Sequence, residues 1–196
     1  MRAWMTAIAL LTMATTAMAQ QAQRSYPSGS RLTVEKREGK FILAVPISRL
    51  VLSLPQGGLV NPGDQPRAGA TDNPRYFKFE DPAQGLIISG WFEPAEKFAG
   101  LESFWKGEVE SWRRNQLPEP RNTIFERIDH WQVVEYELAV PGVINSHLRA
   151  HWVEAGTWID VHLSMTSRKK KAEDCRAALR KWLYATSVRV KSPPAT

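Results

Sequence analysis

The second half of the chain constrains the fold most, because strand-like segments follow one another there with only short turns between them. Three segments have the length of one strand and apolar side chains that are either clustered or alternating: 123–128, 131–140 and 144–153. A fourth segment, 158–164, follows a turn at 154–157 that contains Gly156. Sequential strands joined by short turns pair antiparallel. This half therefore predicts a largely antiparallel sheet.

The rest of the chain predicts further strands and two helices. Strand-like segments occupy residues 32–34, 41–45, 50–54, 76–80, 86–92 and 187–190. A helix is predicted over 95–115, where apolar residues from Phe98 to Trp112 recur at helical spacing, and a second over 170–185. The predicted class is α+β, a largely antiparallel sheet sandwiched by two main helices.

The N-terminus has the three-part pattern of a cleavable secretory signal peptide. Arg2 supplies a positive charge, residues 5–16 are mostly apolar, and small residues precede a cleavage site after Ala19. We expect a periplasmic or secreted location after cleavage. The predicted division is a signal peptide at 1–19, a flexible lead at 20–30, one domain at 31–191 and a tail at 192–196. The stretch 56–75, rich in glycine and proline, is predicted to be a surface loop.

The charge and the single cysteine limit the partners that we expect. A net charge of +6 is modest for 196 residues and no nucleic-acid-binding motif is present, so we expect no nucleic-acid partner. Four consecutive cations at the start of the last helix are interpreted as a solvated turn or as a peripheral contact with an anionic membrane: Arg168, Lys169, Lys170 and Lys171. Cys175 shares a helical stripe with Leu179 and Trp182, which favours an inert, buried thiol.

One order of segments is similar to that of a known family. VVEYELAV is followed by SHLRAHWVEAGTWIDVHLS, with Trp158 just after the glycine turn, then by the helix AEDCRAALRKWL and by SVRV. Together with FILAVP near the start, this order resembles the PsbP-like family. The resemblance implies an α/β/α sandwich. Plant members of that family are extrinsic subunits of photosystem II, and bacterial relatives are exported proteins mostly without an assigned activity. It implies a binding or assembly module and supplies no catalytic residues.

Alternation along the last predicted hairpin separates an apolar face from a polar one. A two-residue turn at Ala155-Gly156 gives these apolar pairs: Trp152 with Ile159, Ala150 with Val161, and Leu148 with Leu163. The opposite face then pairs Val153 with Trp158, His151 with Asp160, and Arg149 with His162. On the preceding strand we place Val134, Tyr136 and Leu138 on the apolar face. That alignment sets Glu135 beside His151 and Glu137 beside Arg149.

The polar face is the candidate ligand-binding site. Its members are Glu135, Glu137, Arg149, His151, Trp158, Asp160 and His162. The same arrangement also fits a ladder of cross-strand charge pairs that serves only stability. A metal site at His151, Asp160 and His162 and an organic or anionic ligand at Arg149 and Trp158 remain open. Arg149 would repel a cation, so we expect no cofactor and keep a divalent metal as the alternative.

No catalytic signature is present. The chain contains no G-x-S-x-G, H-E-x-x-H or C-x-x-C motif and no glycine-rich phosphate loop. The sequence therefore favours a non-enzymatic, exported binding or assembly module of PsbP-like type, with an unidentified protein or small ligand of the cell envelope as its partner. The alternative is a periplasmic ligand- or metal-binding protein that uses the polar face.

Overall fold

The computed structural model describes residues 31–61 and 74–192. The predicted signal peptide, the predicted lead, the central part of the predicted 56–75 loop and residues 193–196 of the predicted tail lie outside these ranges.

Ten strands and two α-helices form the described part of the chain. In order they are β1 (Thr33–Arg37), β2 (Lys40–Ala44), β3 (Leu50–Pro55), β4 (Tyr76–Asp81), β5 (Leu86–Pro94), α1 (Leu101–Arg114), β6 (Pro120–Ile128), β7 (Trp131–Leu138), β8 (Ile144–Glu154), β9 (Thr157–Ser167), α2 (Ala172–Ala185) and β10 (Ser187–Val190). A 3₁₀ turn, Ala95–Lys97, precedes α1. The predicted elements are confirmed, with shifts of a few residues at their ends.

The strands form two antiparallel sheets, whereas the sequence predicted a single sheet. The large sheet has the order β4-β5-β9-β8-β7-β6, and the small sheet has the order β1-β2-β3-β10. The α+β class is confirmed. β1, β2 and β3 pair in sequence order, and β10, which follows α2, adds the fourth strand of the small sheet by pairing with β3.

The main hydrophobic core lies on one face of the large sheet. Leu52 of the small sheet, Phe79 and Leu163 of the large sheet and Leu179 of α2 all belong to this core and are almost completely buried. Cys175 is also buried there, as its helical stripe predicted, and burial raises the pKa of its thiol. α2 and the small sheet therefore cover the same face.

Helix α1 covers the opposite face of the large sheet. Trp112 is buried against Val134 and Tyr136 of β7, and Leu101 and Trp105 pack beside them. The helix starts at Leu101 rather than at residue 95 because Gly100 adopts a φ of +97°, a left-handed conformation that interrupts the helix and that glycine adopts at little cost. Neither helix in the described ranges has the length and apolar character needed to cross a membrane.

Two hairpin turns fix the register of the central strands. Ala155 and Gly156 both have positive φ, as a tight β8–β9 turn requires, and the predicted β8–β9 pairing is confirmed at every position. Between β7 and β8, Val140 pairs with Val143 around Pro141-Gly142. This turn places Glu135 opposite Leu148 and Glu137 opposite Ser146, so the predicted alignment of β7 was wrong. It was displaced by an odd number of residues, which exchanges the two faces of the strand.

Candidate functional site

The polar face of the large sheet lies beneath α1 and is closed to solvent. We define the polar cluster by the seven side chains that meet there: Glu108 of α1, Tyr136 of β7, His147, Arg149 and His151 of β8, and Asp160 and His162 of β9. None of them is more than 9% exposed. Strand alternation places the five β8 and β9 residues on one face, and α1 contributes the remaining acid from above.

Arg149 is the centre of the cluster. Its guanidinium donates to both carboxylate oxygens of Asp160, at 3.2 and 2.5 Å, and to Glu108 Oε2 at 2.9 Å. The rings of Phe104 and Trp91 lie 4.9 and 5.3 Å from its Cζ. Two carboxylates and two aromatic rings thus take the place of water around the guanidinium.

His151 is held in one orientation by aromatic neighbours. Trp158 Nε1 donates to His151 Nδ1 over 3.2 Å, and Phe98 and Phe104 pack against the imidazole. Because Nδ1 accepts that hydrogen bond, a neutral ring carries its proton on Nε2. That Nε2 atom is buried and has no hydrogen-bond partner among the described residues. The Asp160 carboxylate, 3.7 Å from Nδ1, is therefore not a hydrogen-bond partner of this ring.

His147, His162 and Tyr136 form the other end of the cluster. His147 Nδ1 lies 3.0 Å from His162 Nε2, and the Tyr136 hydroxyl lies 3.3 Å from the same nitrogen. The His147 ring stacks on Tyr136 with an interplanar angle of 4°. As in His151, the buried Nε2 of His147 has no partner in the described part of the chain.

Burial and the fixed guanidinium keep all three histidines neutral. Burial, assisted by Arg149, lowers the pKa of His147 to about 3 and holds that of His162 well below its usual value. Burial also lowers the pKa of His151 to about 4, although Asp160 opposes the shift. Burial alone would lower the pKa of Arg149, but Asp160 and Glu108 raise it above its ordinary value. The cluster thus has one permanent cation and three uncharged rings.

Glu135 and Glu137 lie on the opposite face of the sheet, away from His151 and Arg149, contrary to the prediction. Glu135 accepts a hydrogen bond from Arg180 at 2.7 Å, and Glu137 accepts one from Arg176 at 3.1 Å, both from α2. Arg180 also pairs with Glu126 of β6. These two glutamates therefore dock α2 onto β7, and Glu126 docks it onto β6. Gln132 and Val134 occupy the predicted positions of the glutamates beside His151 and Arg149.

The other predicted site residues do come together. Arg149, His151, Trp158, Asp160 and His162 share one face in the predicted β8–β9 register. No group of three histidine, cysteine or acidic side chains with the geometry of a metal site occurs within residues 31–61 and 74–192. A metal at His151, Asp160 and His162 stays a prediction, and Arg149 between the two strands would oppose it electrostatically.

Sequence reasoning missed Glu108 as a member of this face. A signal for it exists, because Glu108 lies three residues after Trp105 and four before Trp112 on the apolar stripe of α1. A single carboxylate on such a stripe needs a buried cation. Burial raises the pKa of Glu108, and the Arg149 charge limits that rise.

A second feature, an open groove, lies on the other face of the large sheet. We define the β10 groove by its lining: Ile128, Asp129, His130, Trp131, Trp152, Leu183, Tyr184, Thr186, Ser187 and Val188. Its volume is about 440 Å³. Trp152 packs edge-on against Trp131, with ring centroids 5.1 Å apart, and His130 lies over Trp152 at 4.9 Å. Tyr184, at the end of α2, is 63% exposed.

The cations at 168–171 form an exposed turn before α2, which starts at Ala172. Ser167 Oγ accepts hydrogen bonds from the backbone N–H groups of Lys169 and Lys170, at 3.1 and 3.0 Å. Lys171 is the N-cap residue, and the Asp174 side chain accepts from its backbone N–H. This geometry fits a solvated turn, and the membrane contact stays a prediction.

The chain matches no known protein-family model, and no curated protein sequence is significantly similar to it. The assignment of function therefore rests on the geometry of the polar cluster and of the β10 groove.

Proposed function

We propose that this protein is an exported binding or assembly module of PsbP-like type that has no catalytic activity and binds its partner at the β10 groove. The observation that carries this proposal is an open groove that the exposed Tyr184 lines together with Trp152 and His130. Exposed aromatic side chains around a concave surface are typical of recognition sites.

The polar cluster fits a structural role better than a catalytic one. Arg149 pairs with both Glu108 and Asp160, and each of the three side chains is almost fully buried. A substrate would have to displace α1 before it reached any of them. The cluster fixes α1 on the sheet, because a buried guanidinium without its carboxylates would be strongly destabilising.

Two further features support the family and the location in this proposal. An antiparallel sheet with one helix on each face is the architecture that the PsbP-like resemblance implies. The signal-peptide pattern at residues 1–19 supports export to the periplasm or beyond.

Site-specific photo-crosslinking in cells tests the proposed binding surface. We would place p-benzoylphenylalanine at position 184 in the groove and, as a control, at the exposed position 110 on α1. The proposal predicts a discrete adduct from position 184 and none from position 110. Equal adducts from both positions, or none from either, would contradict it.

A turnover screen tests the non-enzymatic part of the proposal. The purified mature chain and the Asp160→Asn variant would be assayed with chromogenic ester, peptide and phosphate substrates. We expect no turnover above buffer for either protein. Turnover that disappears in Asp160→Asn, while the circular dichroism spectrum shows that the variant is still folded, would show that the polar cluster is an active site.

A second candidate function is the binding of a small ligand beneath α1. It is favoured by the two buried imidazole nitrogens, His147 Nε2 and His151 Nε2, which lack partners in the described residues. Calorimetric titration with zinc, copper, calcium and phosphate tests it. Stoichiometric binding that is lost in an Asp160→Asn variant shown to be folded by circular dichroism would establish this function, and the absence of binding to the parent protein would remove it.

A further inference from the structure

We propose that β10 accepts an extended peptide with alternating apolar and acidic residues as an added strand along the β10 groove. This inference rests on the proposed function, since it names the class of partner that the groove binds. β10 is the last strand of the small sheet, so one of its edges has no neighbouring strand among the described residues. An exposed strand edge is a template for a further strand.

The backbone of β10 presents hydrogen-bonding groups to that edge. Lys191 lies opposite Arg49, and its N–H donates to the Arg49 carbonyl at 2.7 Å. In an antiparallel ladder, directly hydrogen-bonded pairs alternate with non-bonded ones. Arg189 and Ser187 therefore also bond to β3, whereas the N–H and C=O groups of Val188 and Val190 point away from it.

The two faces of β10 differ, and this difference specifies the partner's sequence pattern. Val188 faces the groove and packs on the core, so an added strand would insert its apolar residues on this side. Arg189 and Lys191 alternate with it and lie on the other face, next to Arg49. No carboxylate in the described ranges lies within ion-pair distance of these three cations, so acidic residues on the added strand would complement them.

The size of the groove fits a few side chains of such a strand. Its volume of about 440 Å³ falls in the range of roughly 300–1,000 Å³ that is usual for ligand pockets. Trp152, His130 and the exposed Tyr184 line the groove and offer aromatic surface to the apolar side chains of the added strand.

The other edge strands are less suited to strand addition. The β6 edge is interrupted by a bulge between Arg121 and Ile124, which breaks the regular ladder. All five residues of β1 are exposed, and they include charges of both signs. β10, in contrast, adjoins the groove that its residues Ser187 and Val188 line.

Fluorescence anisotropy with labelled synthetic peptides tests the inference. The probes are EVEFEVE and its charge-reversed counterpart KVKFKVK, each with blocked ends. We expect EVEFEVE to bind at least about tenfold more tightly than KVKFKVK. Equal binding of the two peptides, or no binding of EVEFEVE at millimolar concentration, would overturn the inference.

Two matched pairs of variants locate the contact. Val188→Pro removes an N–H that does not bond to β3, and we expect it to weaken EVEFEVE binding roughly fivefold to tenfold, whereas Val188→Thr keeps the N–H and changes binding little. Arg189→Glu alters an exposed side chain and should shift the preference toward KVKFKVK. Lys181→Glu, on the exposed part of α2, should leave the preference for EVEFEVE unchanged.

These results separate the inference from the proposed function. An adduct at position 184 in cells, together with peptide binding that Val188→Pro leaves unchanged, would show a working groove without strand addition. Self-association of the mature chain that Val188→Pro abolishes would assign the edge to a second copy and overturn the peptide partner. Loss of the adduct together with tight, Val188-dependent peptide binding would contradict only the cellular role.

Discussion

The buried charge of Arg149 acts as a fixed structural element of the fold. Its side chain is 2% exposed, and Glu108 and Asp160, which pair with it, are also buried. Transferring charged side chains from water to the protein interior is costly. A buried ionic group of this kind therefore contributes little net stability compared with apolar residues of the same volume. Replacing only one member of the group destabilises the protein strongly, because the charges that remain are buried without a partner of opposite sign.

Arg149→Met should therefore destabilise the fold strongly. It leaves the Glu108 and Asp160 carboxyls buried together without a cation, and we expect the free energy of unfolding to fall by about 3–5 kcal/mol. Urea denaturation followed by tryptophan fluorescence measures this change. Arg113→Met is the matched control, because Arg113 pairs with Glu119 at the surface and should cost at most about 1 kcal/mol. A loss below that of the control would contradict a structural role for the cluster.

Single residues also show what the sequence could and could not predict about the site. His151 opposite Asp160 and Arg149 opposite His162 follow from alternation and from the Ala155-Gly156 turn. Glu108 lies more than forty residues away in the sequence from Arg149, its partner. The sequence pattern around either residue does not indicate that Glu108 and Arg149 are close in space. The contact is seen only in the packing of α1 on the sheet.

At the scale of elements, β7 was assigned to the wrong face because both of its faces are buried. Val133 packs into the main core and Val134 packs under α1, so apolar side chains alone do not distinguish the faces. The turn at Pro141-Gly142, with a φ of +73° at Gly142, is the local feature that decides the register. Small and apolar residues surround that turn between β7 and β8, so the sequence pattern did not indicate its register.

The docking of α2 depends on Glu135, and its replacement should cost less than that of an acid in the polar cluster. Arg180 and Arg176, its partners, are about one third exposed and can regain water when the carboxylate is lost. We expect Glu135→Gln to lower the free energy of unfolding by about 1–2 kcal/mol, and Asp160→Asn by about 3–5 kcal/mol. Urea denaturation of both variants checks this order. The reverse order would show that α2, and not α1, depends on the stronger ionic contact.

At the scale of the whole molecule, three buried neutral histidines make the fold sensitive to acid. Their folded-state pKa values lie below the unfolded value of roughly 6.5, so the unfolded chain binds protons first as the pH falls. Stability is therefore present above about pH 6.5 and is lost as the pH approaches 4. Glu108 acts in the opposite sense, since its pKa is raised and its protonation favours the folded state.

The free energy of unfolding should fall as the pH drops from 6 to 4.5, by at most about 1 kcal/mol per pH unit for each buried histidine. Urea denaturation at a series of pH values measures this slope. His162→Gln should reduce it by about one third. His130→Gln, which alters an exposed ring in the β10 groove, should leave it unchanged. An unaltered slope in His162→Gln would show that the buried rings are not its cause.

The whole molecule thus has two surfaces with different roles. The face beneath α1 is polar and buried, while the side of α2 has an open groove and, among the described residues, a β10 edge without a neighbouring strand. Amide hydrogen exchange of the mature chain, with and without the EVEFEVE peptide, compares both surfaces in one measurement. We expect the peptide to slow exchange at Val188 and Val190 and to leave exchange at Arg149 and His151 unchanged. Protection at Arg149 and His151 without protection of β10 would contradict this expectation.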